Sequence, residues 1–267
     1  MRRITTIILI LTATVIWAAD DQLVIKGSTT VLPIAQACAE EYMDANPDAD
    51  ISIMGGGSGV GIASLLDGTT DIANASREIK AKELTTARSS GLNPFANVVA
   101  IDGIAIITHK DIPVKDISLE QLRDIYTGKI DNWNEVGGPS KQIVLVSRDV
   151  SSGTYEVFKE KVLEGAMVTD KALKIASNQA ALKTVTDTPG AIGYVGFGYL
   201  NSKVNAPNVN GIAPTLENAS SKAFPIVRPL FMYTNGTPKG MTKEFIDYIL
   251  SEEGQSIVEE MGYIPLN

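Results

Sequence analysis

The chain has 267 residues, and its 23 Lys and Arg against 31 Asp and Glu give a formal net charge of -8 at pH 7. With 44% hydrophobic and 20% charged residues, the composition excludes a disordered chain and a multi-span membrane protein, and the length allows one large domain or two of ordinary size. The acidic balance excludes a nonspecific nucleic-acid binder, because no basic surplus can displace counterions along a phosphate backbone, so any bound anion must be held by local groups.

The start of the chain has the order of a secretory signal peptide. Two Arg residues precede the apolar run 4–17, and the small residues Ala18 and Ala19 follow it. We predict cleavage after Ala18 or Ala19, which makes residues 1–19 a signal peptide and the protein periplasmic or extracytoplasmic. An uncleaved anchor is the alternative. No Cys follows the run, so we expect no lipid anchor.

Segments typical of strands and helices alternate along the rest of the chain. Strands are predicted at 23–26, 50–54, 71–75, 98–108 and 142–147. The first predicted helix runs from Val31 to Asn46, with Cys38 buried. A second follows the glycine run and has Val60, Ala63 and Leu66 on one face. Further helices are predicted from the Ser118–Gln121 capping box to Tyr126, over 155–163, and twice within 242–261 around Gly254. This alternation favours an α/β architecture with parallel sheets.

The inventory of reactive side chains excludes several kinds of enzyme site. His109 is the only His and Cys38 the only Cys, so neither a clustered His and Cys zinc site nor an internal disulfide can form. A Ser-His-Asp hydrolase would have to use His109, yet no Ser lies in a G-x-S-x-G turn. The glycine run 55–59 lacks the Gly-Lys-Ser/Thr of a nucleotide P-loop. We therefore expect no metal, no cofactor and no catalytic residue.

Three turns each follow a predicted strand and precede a predicted helix, and all are rich in Gly, Ser or Thr. They are residues 27–30, 55–59 and 148–154, which we call the cleft turns. Ligands of open α/β sheets bind beyond the carboxyl ends of strands, where free N–H groups and the helix dipole favour an anion. The alternative is that the hydroxyl residues only cap helices and the glycines only form turns.

Two arginines are the natural cationic candidates for such an anion. Arg77 and Arg148 each follow a predicted strand and stand directly after a Ser. Each could instead be an exposed Arg paired with a neighbouring carboxylate, Glu78 or Asp149 respectively.

Several short motifs occur in order along the chain after residue 20. They are Gly27 to Pro33, Gly57-Ser58-Gly59, Asp71 to Arg77, Ile125 to Ile130 with Asn132-Trp133, Arg148 to Thr154, Gly190 to Tyr194, and Phe224 to Leu230. Together these motifs resemble the phosphate-binding proteins of phosphate ABC transporters. Each motif alone is weak, but the ordered set is highly specific.

The resemblance implies a fold and a domain division. It implies the two-domain, type II periplasmic-binding-protein fold of the α/β class, with mixed sheets, flanking helices and two hinge crossings. The crossings are expected near residues 102–103 and 225–229. The first domain would then comprise residues 20–102 and 225–267, the second residues 103–224, and phosphate would be buried between them.

The resemblance also implies the phosphate ligands. Carried over by motif, they are Ser28, Thr29, Thr30, Val31 through its backbone, Ser58, Arg148, Ser152, Gly153 and Thr154. Arg77 is the tenth candidate, and it stands where the best-known members have an Asp that accepts the proton of hydrogen phosphate and repels sulfate. An Arg cannot accept a proton, so rejection of sulfate by that means is in question, and Asp71 or Asp149 could supply the acceptor instead.

These observations predict a function without catalysis. We expect an exported binding protein, monomeric, that delivers inorganic phosphate to an ABC transporter permease in the membrane and closes around the anion. Three alternatives are left open: another tetrahedral oxyanion such as sulfate, molybdate or tungstate; a secreted phosphatase that uses the same pocket; and a surface adhesin or phosphate sensor of the same fold.

Overall fold

The computed structural model describes residues 22–266. The predicted signal peptide lies outside these residues. Among the helices of the described part, none has the length and apolarity needed to cross a membrane.

Strands and helices alternate through most of the described chain, as predicted. The strands are β1 Leu23–Gly27, β2 Ile51–Gly55, β3 Ile72–Ala75, β4 Pro94–Thr108, β5 Asp116–Ile117, β6 Val144–Arg148, β7 Leu173–Ile175, β8 Ala191–Gly196, β9 Asn208–Val209 and β10 Val227–Asn235. The α-helices are α1 Leu32–Ala45, α2 Ser58–Leu66, α3 Ala81–Ser89, α4 Leu119–Thr127, α5 Gly153–Lys161, α6 Asn178–Asp187, α7 Leu216–Ser220, α8 Gly240–Leu250 and α9 Glu252–Glu260. Short 3-10 helices occupy Trp133–Val136 and Phe197–Tyr199.

Eight strands form one mixed sheet in the order β2-β1-β3-β10-β4-β8-β6-β7, and β5 pairs with β9 separately. The long strand β4 changes partner along its length: it pairs with β10 as far as Gly103 and with β8 from Ile104 onward. We call the part on the β10 side the first half-sheet and the part on the β8 side the second half-sheet. The expectation of parallel pairing holds for β1 with β2 and β3 and for β6 with β7 and β8, whereas β4 and β10 run antiparallel to their neighbours.

Helices cover both faces of each half-sheet and divide the core into clusters. In the first half-sheet, α1, α8 and α9 bury one face around Ile25, Cys38 and Phe245. The other face packs against α2. In the second half-sheet, α6 covers one face, and α4 and α5 pack on the other around Tyr126 and Phe158. Each half therefore has its own apolar core, which stabilises it as a unit.

Two local predictions from the sequence are confirmed. Ser118 Oγ accepts from the Gln121 N–H at 3.0 Å, and Gln121 Oε1 accepts from the Ser118 N–H at 2.9 Å, so the predicted capping box opens α4. Cys38 is buried, and burial raises the pKa of its thiol to about 12. The thiol is therefore a packed apolar group and not a reactive one.

The predicted apolar face of α2 is wrong. Ile62 and Leu65 are buried, whereas Val60 and Ala63 are exposed and Leu66 is only half-buried. Residues 58–66 are apolar or small on every side, so their periodicity does not select a face, and the fit against the sheet decides it.

The break between the two C-terminal helices also differs from the prediction. Ser251, not Gly254, separates α8 from α9, and its hydroxyl accepts from the Gly254 N–H at 3.2 Å as the cap of α9. A Cβ at Gly254 would lie 2.2 Å from the Tyr248 carbonyl oxygen. The glycine is therefore required for close packing of the two helices, not for the turn.

Candidate functional site

The three cleft turns come together where the two half-sheets meet. The Gly57 N–H donates to the Gly27 carbonyl at 2.9 Å, which joins the first turn to the second. The Gly59 N–H donates to the Ser151 carbonyl at 2.9 Å, which joins the second to the third. Strand order explains the meeting, since β1, β2 and β6 all end at this junction and each leads into a helix.

Every predicted ligand residue with a side chain is buried, with an exposed fraction of 8% or less. They are Ser28, Thr29, Thr30, Val31, Ser58, Arg77, Arg148, Ser152 and Thr154. Gly153 is also buried. Hydroxyl groups that are buried away from water require hydrogen-bond partners. The identity of each partner shows whether a hydroxyl caps a helix or has another role.

The capping interpretation holds for Ser152 among the hydroxyls of the cleft turns. Ser152 Oγ accepts from the Tyr155 N–H at 3.3 Å and caps α5, whereas Ser28 Oγ accepts from the Thr30 N–H at 3.1 Å within the turn before α1. In the described part of the chain, helices α1 and α2 have no side-chain cap. Within residues 22–266, the N–H groups of Val31, Ser58, Gly153 and Thr154 have no protein acceptor. Free donors at three helix N-termini form an anion-binding arrangement.

Ser58 and Gly153 are in direct contact across the junction. A Cβ at Gly153 would lie 2.3 Å from Ser58 Oγ and 2.6 Å from Ser76 Oγ, so only glycine is accommodated there. Ser58 Oγ accepts from the Ser76 N–H at 3.0 Å and lies 3.3 Å from Ser76 Oγ. The helices α2 and α5 thus direct their N-termini at the same small volume.

Arg148 is a buried cation that has no carboxylate partner within residues 22–266. Its Nε donates to the Ile175 carbonyl at 3.1 Å and its Nη1 to Asn178 Oδ1 at 2.8 Å, and its Nη2 reaches Thr29 Oγ1 at 3.2 Å. Burial, opposed by Tyr194 and Asp149, lowers the pKa of Arg148 to about 10, so the group stays charged at neutral pH. Among the described residues it makes no salt bridge. A buried charge in this state favours a bound anion.

Sequence reasoning missed a second buried arginine at the junction. Arg228 donates to Thr30 Oγ1 at 3.2 Å, to Thr154 Oγ1 at 3.1 Å and to the Ser76 carbonyl at 3.2 Å. It also pairs with the fully buried carboxylate of Asp102 at 2.8 Å. Complete burial raises the pKa of Asp102, and the charge of Arg228 opposes that rise. A signal was present, since Arg228 is the only charged residue of β10 and is followed by the apolar residues 229–232.

Asn178 was missed as well. It is fully buried at the start of α6. Its Oδ1 accepts from Arg148, and its Nδ2 donates to Thr30 Oγ1 at 2.9 Å. The residue therefore connects the guanidinium on β6 to the first cleft turn. No local pattern around residue 178 distinguishes this Asn from an ordinary helix N-terminal residue.

The structure does not bring the Arg77 guanidinium into this group. Its Nη1 and Nη2 donate to Glu83 at 2.9 and 2.7 Å, and Nη1 also donates to the Glu78 carbonyl at 2.8 Å. Burial raises the pKa of Glu83, but the bonds to Arg77 and Lys80 outweigh it and lower the pKa. The alternative considered from the sequence was a pair of Arg77 with the Glu78 carboxylate, but the carboxylate that Arg77 contacts is Glu83.

The two carboxylates proposed as proton acceptors are engaged elsewhere. Asp71 is exposed at the start of β3, the end remote from the junction, and accepts from the Val24 N–H at 2.8 Å. Asp149 accepts from the N–H and the hydroxyl of Ser151, at 2.8 and 2.5 Å, and so holds the third cleft turn. Neither residue fixes the orientation of Arg77 or Arg148 through a hydrogen bond.

Known proteins are similar to this chain over most of its length. The sequence model of the PBP superfamily domain matches residues 14–253. The phosphate-binding protein PstS of Bacillus subtilis is 40% identical over 250 residues, which cover 93% of this chain and 82% of that protein.

Solved structures are similar over the same extent. A Clostridium perfringens protein named as a phosphate ABC transporter substrate-binding protein, solved with bound phosphate, is 37% identical with a TM-score of 0.85, and the match covers 92% of this chain and 100% of that one. An ABC-type phosphate transport receptor of Vibrio cholerae is 31% identical with a TM-score of 0.74, over 91% and 99% of the two chains.

Proposed function

The chain belongs to the phosphate-binding proteins of the PBP superfamily, and from this membership we propose that it captures inorganic phosphate and delivers it to an ABC transporter. One observation carries the proposal: the Arg148 guanidinium is buried, with no carboxylate partner among the described residues, where the N-termini of α1, α2 and α5 meet. A small dianion would neutralise this charge and accept from the free N–H groups. Sulfate and related oxyanions are not favoured by the relatives.

The proposed ligand set follows the motifs with one removal. It contains Ser28, Thr29, Thr30, Val31, Ser58, Arg148, Ser152, Gly153 and Thr154. We leave out Arg77, because Glu83 already neutralises it. Arg228 and Asn178 support the set by donating to Thr30 Oγ1.

We further propose that the two half-sheets correspond to two domains, residues 20–102 with 225–267 and residues 103–224. The change of partner in β4 between Gly103 and Ile104 supports the first crossing. The second crossing is proposed where the chain enters β10. Hydrogen bonds that link the halves, such as Thr30 Oγ1 with Thr154 Oγ1 at 3.1 Å, are the contacts that hinge opening would break.

The proposed setting is outside the cytoplasm, after removal of residues 1–19. The partners are inorganic phosphate and a membrane permease, and the protein acts as a monomer. It performs no catalysis, since its relatives are named as binding proteins and His109 is bound to Asp111 at 2.6 Å, apart from the residues of the junction.

Isothermal titration tests the proposal. The mature protein is unfolded and refolded to remove carried ligand, then titrated with phosphate and with sulfate at pH 5.5 and 8. We expect micromolar or tighter phosphate binding, which is about -8 kcal/mol. Binding of sulfate but not phosphate would refute the assignment.

Two further assays separate the other functions. A phosphate-ester assay that found turnover abolished in Ser58→Ala would indicate a phosphatase. Phosphate uptake in a strain that lacks its own binding protein separates a transport protein from an adhesin or sensor, which would bind phosphate without restoring uptake.

A further inference from the structure

The hydroxyl groups at the junction differ in whether they can accept a proton from a ligand. Thr30 Oγ1 accepts from Asn178 Nδ2 at 2.9 Å and from Arg228 Nη2 at 3.2 Å. Nη2 has two N–H groups and also donates to Asp102 Oδ2 at 2.8 Å, so Thr30 and Thr154 share one N–H. The two threonine hydroxyls lie 3.1 Å apart, and either can donate to the other.

Thr154 belongs to the same hydrogen-bond group. Its Oγ1 accepts from Arg228 Nη2 at 3.1 Å and lies 3.1 Å from Thr30 Oγ1. Asp102 holds the Arg228 guanidinium at 2.8 Å, and a guanidinium cannot reverse its role, because it has no acceptor. When Thr30 donates to Thr154, the hydroxyl proton of Thr154 is left for a ligand, so we expect Thr154 to donate to phosphate and to sulfate alike.

Ser58 and Ser76 behave differently. Ser58 Oγ accepts from the Ser76 N–H at 3.0 Å and lies 3.3 Å from Ser76 Oγ, so one of its lone pairs is still available to Ser76. When Ser76 donates to Ser58, Ser58 is in turn a donor to the ligand. Ser76 Oγ then has free lone pairs, beside Gly153 and buried from water.

The carboxylates nearby do not compete for that role. Asp102 accepts from Arg228 and from the Phe197 N–H, Asp149 from Ser151, and Glu83 from Arg77. We propose that Ser76 accepts the proton of bound hydrogen phosphate in this protein, an inference that rests on the proposed function. Ser76, which directly precedes the position of the family's Asp, thus serves as the proton acceptor, a role that Arg77 cannot fill.

This arrangement has a consequence for selectivity. Hydrogen phosphate receives the proton of Ser58 and gives its own proton to Ser76, which makes two hydrogen bonds. Sulfate has no proton to give, so as long as Ser58 and Ser76 stay hydrogen-bonded to each other, only one of the two hydroxyls can donate to sulfate. The difference of one neutral hydrogen bond corresponds to a preference for phosphate of about tenfold from this pair.

Titration calorimetry at pH 8 with phosphate and with sulfate tests the inference. We expect Ser76→Ala to weaken phosphate binding about tenfold and sulfate binding less than about threefold, so that the ratio of the two affinities falls. Ser58→Ala, a second variant at the pair, should lower the ratio in the same direction. Thr154→Val removes a donor that both anions use and should weaken both alike. The matched control, Ser64→Ala on the outer part of α2, should change neither.

The outcomes separate this inference from the function itself. A Ser76→Ala protein whose affinities fall equally, or not at all, would overturn the role of Ser76 while leaving phosphate binding in place. A change of ratio in Thr154→Val would overturn the assignment of selectivity to the pair of Ser58 and Ser76. Absence of phosphate binding in the unsubstituted protein would refute the proposed function.

Discussion

Replacement of Arg148 by Gln should remove most of the affinity for phosphate. The guanidinium is 2% exposed and has two N–H groups near the first cleft turn and α6. Charge-assisted hydrogen bonds contribute roughly 1.5 to 3 kcal/mol each. We expect a bidentate contact of the guanidinium with phosphate, which uses two such bonds; its loss costs about 3 to 6 kcal/mol and weakens binding by roughly 100-fold to 10,000-fold.

Thermal unfolding with and without phosphate measures this loss. Phosphate at 1,000 times the dissociation constant of the unsubstituted protein should stabilise it by about 4 kcal/mol. For a chain of this size that is a rise in Tm of about 8 to 16 °C. At the same concentration Arg148→Gln should gain at most about 1.4 kcal/mol, because its dissociation constant is at least about 100-fold higher.

The ligand-free variant provides an internal check. Burial lowers the pKa of Arg148 to about 10, so the folded protein disfavours the charged group by roughly 3 kcal/mol. Removing the charge offsets the lost bonds to the Ile175 and Ala176 carbonyls, and the ligand-free Tm should change little. Arg88→Gln, at an exposed position on α3, is the control. An Arg148→Gln protein that binds phosphate within threefold of the unsubstituted one would refute this account.

Two further substitutions test the packing of the site and a surface ion pair. Gly153→Ala should weaken phosphate binding at least about 100-fold in calorimetry while the circular dichroism stays native, because its Cβ would lie 2.3 Å from Ser58 Oγ; affinity within threefold would contradict this. Although partial burial opposes it, the Lys141 ammonium and the His109 ring lower the pKa of Asp111 to about 2. A carboxyl pKa that is lower in the folded state stabilises the fold at pH values above the pKa of the unfolded state, and this stabilisation is lost as the pH falls through the pKa of the folded state. Asp111→Asn should therefore cost about 1 kcal/mol at pH 7, and the urea midpoints of the two proteins should converge between about pH 4 and pH 2. A difference in midpoint that stays constant over this range would argue against the ion pair.

The cleft turns were predictable because their signal is local. Gly, Ser and Thr between a strand and a helix indicate a free helix N-terminus regardless of what the rest of the chain does. Thr29, Ser58 and Gly153 all lie where that pattern placed them. Their convergence followed from the rule that the carboxyl ends of parallel strands share one edge.

The charged partners were not predictable in this way. Arg228 and Asp102 are 126 residues apart in the sequence, and only the pairing of β10 with β4 brings them together. The partner of Arg77 is nearer, yet Glu83 was missed, because its choice depends on the backbone path into α3. Each error concerns a side chain whose role is set by its neighbours in space rather than in sequence.

The position of β10 has a consequence for how the chain folds, given the export proposed above. β10 lies between β3 and β4 in the first half-sheet, yet it is the last strand to be synthesised, at Val227–Asn235. Residues 104–224 can form their core as soon as they emerge, because that segment is continuous. The earlier strands β1 to β3 must wait for nearly the whole chain before they gain their central neighbour. We therefore expect the N-terminal third to remain without tertiary structure during translocation, which is the state in which a secretion channel transports a chain. The anion site should then assemble last.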